Sequence, residues 1–277
     1  MPPLSSQNFG QMAHHVLGGY RTNTTRPTII LVHGGWQGPS SFSLLVPRLE
    51  KAGYSVFAPT LPSAATKPAL PSFDEDVKIV HNALQSVVDT GKEVIVVMHS
   101  YGAVVGCEAL RGVKVKDLTE PRQSHDDLEA AGVVKLVFLC GMVLPVGGST
   151  WKAEKGNDPV PGFECVDNLI TITDAPNRFY NDLPPHSAAY WTSKMRAQSR
   201  LAYSSQLTYA AYHHIPSSYL ICTRDHALPP KVQERMVAMA GIEETERVEA
   251  GHLPHISQPG FVERFVRKSA GEFLSML

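Results

Sequence analysis

The sequence of 277 residues has almost no excess charge of either sign. Its 25 lysine and arginine residues are matched by 26 aspartate and glutamate residues, which gives a formal net charge of −1. Proteins that bind nucleic acid or anionic lipid through their overall field carry a marked basic excess. We therefore expect neither nucleic acid nor a membrane among the partners of this chain.

Long apolar runs are also missing. The longest candidate, residues 133–146, is interrupted by Lys135, Gly141 and Pro145, and it is shorter than the ~20 apolar residues that span a bilayer. The N-terminal stretch MPPLSSQNFGQMAHH has neither the basic beginning nor the apolar core of a secretory signal. Together these absences predict a cytoplasmic protein.

Cysteine is scarce, and motifs for bound cofactors are absent. The four cysteines, Cys107, Cys140, Cys165 and Cys222, show no C-x-x-C spacing, which favours buried free thiols in a reducing compartment over a disulfide framework. No H-E-x-x-H, G-x-G-x-x-G or P-loop pattern occurs in the sequence. We therefore predict that the protein holds no metal ion and needs no cofactor.

What the sequence does contain is an alternation of short apolar runs and longer amphipathic segments. Apolar side chains make up 43% of the residues, and a chain of this length can bury a full core without disulfides. Runs rich in Val and Ile that are apolar on both faces are typical of strands buried between layers of helices. The predicted strands are 28–33, 54–59, 93–98, 133–141, 218–223 and 246–250. The predicted helices are 41–52, 73–90, 103–111, 230–240 and 261–274. This alternation predicts an α/β protein with a mainly parallel sheet.

Two segments interrupt the alternation. Residues 114–130 are polar and charged, and we expect a surface excursion there. Residues 147–216 are rich in aromatic side chains and are too long for a plain loop between two strands. They predict a helical cap over one edge of the sheet. The chain is thereby divided into a core of residues 1–146 and 217–277 and a cap of residues 147–216.

The strongest chemical signal is the stretch VVMHSYGA that begins at Val96 and runs from a predicted strand directly into a predicted helix. A serine on such a sharp turn is typical of a nucleophile elbow, in which the hydroxyl projects above the sheet. Ser100 is therefore the candidate nucleophile, although a serine that caps a helix would give the same local pattern. Met98 stands where the usual G-x-S-x-G pattern has glycine.

The second signal is the stretch HGGW, residues 33–36, at the end of the first predicted strand. Acyl transfer requires N–H donors directed at the developing oxyanion, and backbone donors serve well because they are fixed in place. The predicted donors are the N–H groups of Gly35 and Tyr101, the residue after the candidate nucleophile. His33 is expected to brace this loop.

The third and fourth signals are an acid and a base, Asp225 and His252, each just past a predicted strand. A serine hydroxyl becomes nucleophilic when an imidazole accepts its proton and a carboxylate orients that imidazole. The chain order Ser100, Asp225, His252 is the order expected for a triad that follows a nucleophile elbow. His255 is a rival base, but His252 directly follows the glycine at the strand end.

These motifs make the chain similar to proteins of the α/β-hydrolase fold from about residue 28 to residue 274. Within that superfamily it resembles the small capped group that contains plant methylesterases, hydroxynitrile lyases and many microbial esterases. The resemblance implies a mostly parallel sheet of eight strands flanked by helices, with a helical cap inserted after the sixth strand. It also implies that Ser100 is the nucleophile, His252 the base and Asp225 the acid, with Gly35 and Tyr101 as oxyanion donors.

Three kinds of function remain open for such a site. The first is cofactor-independent hydrolysis of a carboxylic ester or lactone through an acyl-enzyme. The second uses the same triad for C–C bond hydrolysis, lyase chemistry or cofactor-free oxygenation. Hydroxynitrile lyases of this group carry a lysine directly after the catalytic histidine, and Leu253 in that position counts against cyanohydrin cleavage. The third is a ligand-binding receptor with slow turnover.

The expected partner is a small, largely apolar or aromatic molecule. Trp36, Tyr101 and aromatic side chains of the cap are expected to enclose an apolar pocket. Tyr180 is a candidate substrate contact because it lies in the stretch FYND, residues 179–182, where aromatic and polar side chains adjoin. A homodimer is one option for the assembly of the protein.

Overall fold

The computed structural model describes residues 26–116, 131–151 and 162–272. The strands of the described residues are β1 Thr28–Val32, β2 Val56–Phe57, β3 Glu93–His99, β4 Gly132–Leu139, β5 Phe163–Val166, β6 Leu169–Ile172, β7 Gln198–Ser199, β8 Ser217–Cys222 and β9 Glu244–Val248. Six of them pair in parallel in the order β2-β1-β3-β4-β8-β9 and form the central sheet. The other three form a small antiparallel sheet in the order β5-β6-β7.

Helices cover both faces of the central sheet. The α-helices with described bounds are α1 Val46–Lys51, α2 Asp74–Val88, α3 Gly102–Ala109, α4 Ala175–Phe179, α5 Pro185–Ser193, α6 Arg200–Tyr203, α7 Pro230–Ala240, α8 Pro254–Ser257 and α9 Pro259–Ser269. Single turns of 3₁₀ helix lie at Pro39–Phe42 and Ala211–His213. None of the helices in the described ranges is both long and apolar enough to cross a bilayer.

Successive side chains of a strand point to opposite faces of its sheet. In β1, Ile30 and Val32 belong to one apolar cluster, and Ile29 and Leu31 belong to another. Residues of α2, α3 and α7 pack in the first cluster, whereas residues of α1 and α9 pack in the second. The central strands are apolar on both faces because both faces are covered. The predicted α/β architecture with a parallel sheet is confirmed.

The number of strands differs from the expectation. The central sheet of the described residues has six strands and not eight, so the insertion at residues 147–216 follows its fourth strand and not its sixth. Each strand predicted from an apolar run is present, whereas the two additional strands were implied by the resemblance alone. Residues 1–25 and 117–130 lie outside the described residues, and the second of these ranges holds most of the predicted surface excursion.

The insertion is not a purely helical cap, because it contains the small antiparallel sheet as well as α4, α5 and α6. β5 and β6 are joined by a two-residue turn at Asp167 and Asn168, whose φ angles are +50° and +61°. A two-residue hairpin of this type needs positive φ at both central positions, which Asp and Asn tolerate. The hairpin therefore follows from turn chemistry. The division of the chain into core and cap stays a prediction.

All four cysteines are free thiols. Cys107, Cys140 and Cys222 are buried, in accord with their apolar surroundings. Cys165 is exposed, because it lies on the outer strand of the small sheet. The expectation of buried thiols is thus wrong for Cys165.

The parallel strands bring together the segments that follow their carboxyl ends. The loop with Gly35 follows β1, Ser100 follows β3, Asp225 follows β8 and His252 follows β9. In open parallel sheets, ligand sites form along this edge. The fold therefore collects at one edge four segments that lie far apart in the sequence.

Candidate active site

Ser100 occupies the turn between β3 and α3 and has a φ angle of +50°. This left-handed conformation is costly for a residue other than glycine and is maintained only where the surrounding structure enforces it. The close approach of α3 to β1 enforces it here. A Cβ atom at Gly102 would lie 2.5 Å from the carbonyl oxygens of Val32 and His33, so a side chain at this position would push the helix away. Glycine at the start of α3 thus permits the sharp turn.

Met98 stands where the usual elbow pattern has glycine, and a glycine on α3 leaves room for its side chain. Its side chain is fully buried, and a Cβ atom at Gly106 would lie 2.4 Å from its sulfur atom. The thioether therefore fills the space that Gly106 leaves vacant on α3. The bulk of methionine before the turn is matched by the absence of a side chain on the helix that packs against it.

Ser100, His252 and Asp225 form one hydrogen-bonded chain. The Ser100 hydroxyl is 2.9 Å from Nε2 of His252, and Nδ1 of the same ring is 2.8 Å from Oδ2 of Asp225. The three residues are 6%, 3% and 3% exposed, respectively. With Nδ1–H donating to the carboxylate, Nε2 is left to accept the serine proton. The structure thus brings together the three residues predicted as nucleophile, base and acid.

The Asp225 carboxylate is held by additional donors. Its Oδ1 accepts hydrogen bonds from the backbone N–H groups of Ala227 and Leu228, both at 2.8 Å. Its Oδ2 accepts from Nε2 of Gln233 at 3.1 Å as well as from His252. These donors hold the carboxylate in a fixed orientation beside the His252 ring. The role of Gln233 cannot be predicted from the sequence, since nothing in a helix sequence marks a glutamine that turns towards a loop eight residues earlier.

The insertion contacts the loop that carries the histidine. The backbone N–H of Gly251 donates to Oδ2 of Asp182 at 2.6 Å, and the side chain of Asn181 donates to the carbonyl oxygen of Arg224 at 2.9 Å. Within the stretch 179–182, which is predicted to contact substrate, Asn181 and Asp182 thus bond to the loops that hold Asp225 and His252. These contacts fix the insertion against both loops.

Three further histidines are buried near the triad. Burial lowers the pKa of His33 to about 4 and that of His255 to about 3, and it also lowers the pKa of His99 well below its usual value. His33 accepts the N–H of Leu61 at 3.0 Å and donates to the carbonyl oxygen of Gly34 at 2.9 Å, so it braces the loop after β1. Of the buried histidines among the described residues, only His252 bonds to Ser100.

His99, Cys140 and His252 place potential metal-ligand atoms within 4.8 Å of one another. His99 and Cys140 are both bonded to the backbone of His252. Nε2 of His99 and Sγ of Cys140 both donate to the carbonyl oxygen of His252, at 2.7 Å and 3.1 Å, while Nδ1 of His252 bonds to Asp225. The group is therefore an internal support for the histidine loop.

Gly35 and Tyr101, the predicted oxyanion donors, lie beside each other above the sheet. A Cβ atom at Gly35 would be 3.8 Å from Cβ of Tyr101 and 3.3 Å from the ring of Tyr203. Tyr101 precedes the first residue of α3, where backbone N–H groups have no partner within the helix. A Cβ atom at the neighbouring Gly34 would lie 3.0 Å from Cβ of Ser100, so the two backbone segments converge beside Ser100.

Trp36, a predicted substrate contact, is buried at the junction of core and insertion. Its φ angle is +60°, and its indole Nε1–H donates to the carbonyl oxygen of Ile170 at 3.0 Å. The ring packs against Phe163, Phe179 and Tyr203, with centroid distances of 5.5, 5.7 and 5.0 Å. The side chain therefore anchors the loop after β1 to the aromatic interior of the insertion.

Tyr180, the other predicted substrate contact, is also buried. Its hydroxyl accepts a hydrogen bond from Nε2 of Gln37 at 3.2 Å, and burial raises its pKa to about 12. The residue borders an open cavity of about 760 Å³ between the insertion and the loop after β8. That cavity is also lined by Asn177, Arg224, Asp225 and His226. It therefore lies on the Asp225 side of the triad.

Comparisons with known proteins identify the family of the chain. The model of the alpha/beta hydrolase family matches residues 29–265. The chain is 33% identical over 257 residues to the alpha/beta hydrolase nvfD of Aspergillus novofumigatus, and the match covers 91% of this chain and 99% of that protein.

Solved structures show the same fold at lower identity. A crystal structure of the pyrethroid hydrolase PytH with BIF has a TM-score of 0.69 at 18% identity, and the match covers 88% of this chain and 98% of that one. Polyneuridine aldehyde esterase has a TM-score of 0.67 at 20% identity, with coverage of 88% and 98%. The family model spans most of the sequence, and the fungal relative matches over nearly its full length. The chain therefore belongs to the alpha/beta hydrolase family.

Proposed function

We propose that the protein is a cofactor-independent serine hydrolase that cleaves a carboxylic ester or lactone. The observation that carries the proposal is the continuous hydrogen-bonded chain from Ser100 through His252 to Asp225, with distances of 2.9 Å and 2.8 Å. Nucleophile, base and orienting acid are thus within hydrogen-bond reach of one another, which is the arrangement that activates a serine hydroxyl.

The reaction follows from the positions of these groups. Ser100 attacks the carbonyl carbon while Nε2 of His252 accepts its proton, and Asp225 stabilises the resulting imidazolium. The tetrahedral oxyanion is placed at the N–H groups of Gly35 and Tyr101. His252 then donates its proton to the leaving alcohol, and a water molecule attacks the acyl-enzyme by the same route and releases the acid.

The surroundings of the triad favour a small substrate with an apolar or aromatic portion. The ring of Phe179 lies 5.3 Å from that of His252, and the ring of Tyr203 lies 5.3 Å from that of Tyr101. Both rings are buried with the site. The names of two structural neighbours, a pyrethroid hydrolase and an esterase, also support hydrolysis of an ester.

The test is the hydrolysis of a p-nitrophenyl ester by Ser100→Ala. We expect turnover to fall to the background rate, because the variant lacks the nucleophile but keeps the fold. Ser86→Ala is a matched control, since Ser86 is an exposed serine on α2 that bonds only to the backbone of its own helix. Unchanged turnover in Ser100→Ala would contradict the proposed mechanism.

A β-diketone assayed beside the ester separates the proposed reaction from C–C bond hydrolysis. Ester cleavage without diketone cleavage is the expected result. Efficient cleavage of the diketone with little turnover of the ester would replace the proposed reaction by its C–C counterpart on the same triad.

A further inference from the structure

A second buried carboxylate lies on the other side of Ser100. Asp76, in the first turn of α2, is fully buried, and its Oδ1 accepts the backbone N–H of Ser63 at 2.9 Å. Its Oδ2 accepts the Ser63 hydroxyl and also the Tyr101 hydroxyl, the latter at 2.9 Å. Among the described residues, no lysine or arginine forms a salt bridge with it. A buried carboxylate without a cation is expensive unless hydrogen bonds satisfy it, so its persistence here calls for an explanation.

The hydrogen bonds continue from Ser63 into the insertion. Nε2 of Gln198, on β7, donates to the Ser63 hydroxyl at 2.8 Å. Oε1 of Gln198 accepts the backbone N–H of Trp36 at 3.3 Å. Each group therefore uses its natural polarity: the amide N–H donates, the amide oxygen accepts, and the serine hydroxyl does both. We call these five residues, Trp36, Ser63, Asp76, Tyr101 and Gln198, the Asp76 network.

Both ends of the Asp76 network adjoin the proposed oxyanion donors. Tyr101 supplies one donor N–H itself, and its hydroxyl is fixed on Asp76. Trp36 directly follows Gly35, which supplies the other N–H, and Trp36 has a left-handed φ angle of +60°. The backbone of Trp36 is bonded on both sides, since its carbonyl oxygen also accepts the N–H of Arg196 at 2.9 Å. The network thus spans the interval between the two donor segments.

The geometry points to Asp76, Ser63 and Gln198 as positioning residues that set the separation of the Gly35 and Tyr101 N–H groups. This inference rests on the proposed serine hydrolase function. It implies that the insertion is part of the catalytic framework, because Gln198 belongs to it. An oxyanion forms only after attack on the carbonyl, so a displaced donor weakens the transition state more than it weakens substrate binding.

Tyr101→Phe is the most conservative test, since it removes one hydroxyl and keeps the ring. We expect kcat for a p-nitrophenyl ester to fall about tenfold, less than the 10²–10³ lost when an oxyanion donor is removed outright. KM should change less than about twofold, because uniform binding is retained. Gln198→Leu, which breaks the network at its other end, should give the same pattern.

A second measurement separates positioning from a general structural effect. The Ser100 hydroxyl adds to the carbonyl carbon of a trifluoromethyl ketone, and the resulting oxyanion lies between the two donors. The inhibition constant of the ketone therefore measures how well the two donors stabilise an oxyanion. We expect this constant to rise by the same factor by which kcat falls. Tyr212→Phe is the matched control, because it also removes a hydroxyl that donates to a backbone oxygen, that of Leu144, away from the site.

Two results would overturn the inference. One is an unchanged kcat and an unchanged ketone affinity in folded Tyr101→Phe and Gln198→Leu. The other is a fall in kcat without any loss of ketone affinity. Failure of the proposed function would look different, because Ser100→Ala would then retain activity whatever the network variants did.

Discussion

From Ser100, one chain of hydrogen bonds runs through His252 to the buried carboxylate of Asp225. From the neighbouring Tyr101, another runs to the buried carboxylate of Asp76 and on into the insertion. Each chain includes a buried acid that accepts several hydrogen bonds. The first chain is built for proton transfer, since an imidazole lies in its middle. The second contains no imidazole, and we assign it the role of holding the oxyanion donors in place.

The two chains also differ in where their members come from. Ser100, Asp225 and His252 follow three parallel strands, which bring them to one edge of the sheet. The Asp76 network needs a loop, a helix and β7 of the insertion as well. The comparison teaches that strands of the core bring the reacting groups together, whereas the proposed oxyanion site has a hydrogen-bonded member, Gln198, that belongs to the insertion.

The largest loss of activity is expected from substitution of Asp225, the acid of the Ser100–His252–Asp225 chain of hydrogen bonds. Asp225→Asn should keep the packing but favour the wrong histidine tautomer, and kcat should fall on the order of 10⁴-fold, as in other serine triads. Steady-state hydrolysis of a p-nitrophenyl ester measures this change, with Asp89→Asn on the surface as control. A loss of less than about tenfold would remove the mechanistic contrast between the two chains, since network variants are expected to cost that much.

The second effect is the dependence of stability on pH. Buried histidines and the buried carboxyl of Asp76 are expected to change the free energy of unfolding in opposite directions. Burial lowers the pKa of His33 and His255 from 6.5 to about 4 and about 3. The unfolded chain therefore takes up these protons below about pH 6.5 while the folded protein does not, and stability is complete above that pH and falls as the pH is lowered. Between pH 7 and pH 5 we expect a loss of about 2 kcal/mol for each histidine in urea unfolding.

Asp76 is expected to act in the opposite direction. Burial raises the pKa of its carboxyl, and the bonds from Ser63 and Tyr101 offset part of that rise. The folded protein therefore holds this proton more tightly than the unfolded chain, and acidification favours folding at this site.

His255→Phe keeps a ring against Phe42 and should remove about half of the acid-induced loss of stability attributed to His33 and His255. An unchanged dependence of stability on pH would contradict this assignment.

The smallest effect tests the elbow that the two chains share. Gly106→Ala places a Cβ atom 2.4 Å from the Met98 sulfur, and overpacking of this kind costs about 1–3 kcal/mol. Thermal or urea unfolding measures the loss, and the cost should shrink in a Met98→Ala background. Gly260→Ala on α9 is the control, because the nearest atom to its Cβ would be 3.6 Å away. Equal stability of both alanine variants would show that Met98 does not depend on Gly106.

The core strands and the hydrogen-bonded series Ser100, His252 and Asp225 can be predicted from the sequence for the same reason. Ser100, Asp225 and His252 each follow an apolar run, and parallel strands bring such positions to one edge. Asp76, Gln198 and Gln233 could not be found in this way, because their partners lie elsewhere in the chain and their own neighbours show no pattern. The two strands expected beyond the observed six rested on family likeness without an apolar run to support them.

In the insertion, turn residues predict the structure better than aromatic content does. Its aromatic residues suggested a helical cap, whereas Asp167 and Asn168 carried the turn chemistry of a hairpin. Trp36 was expected to contact substrate, but its indole N–H and its ring are taken up by the insertion. Aromatic content alone does not distinguish a pocket wall from a packed junction.

The most direct test of the central claim is to treat the protein with a fluorophosphonate and map the adduct by mass spectrometry. A serine activated by His252 should displace fluoride and carry one phosphonyl group, found on the peptide that contains Ser100. The adduct should be absent from Ser100→Ala and nearly absent from His252→Ala. An unlabelled protein, or an adduct on another residue that survives Ser100→Ala, would contradict the assignment of Ser100 as the nucleophile.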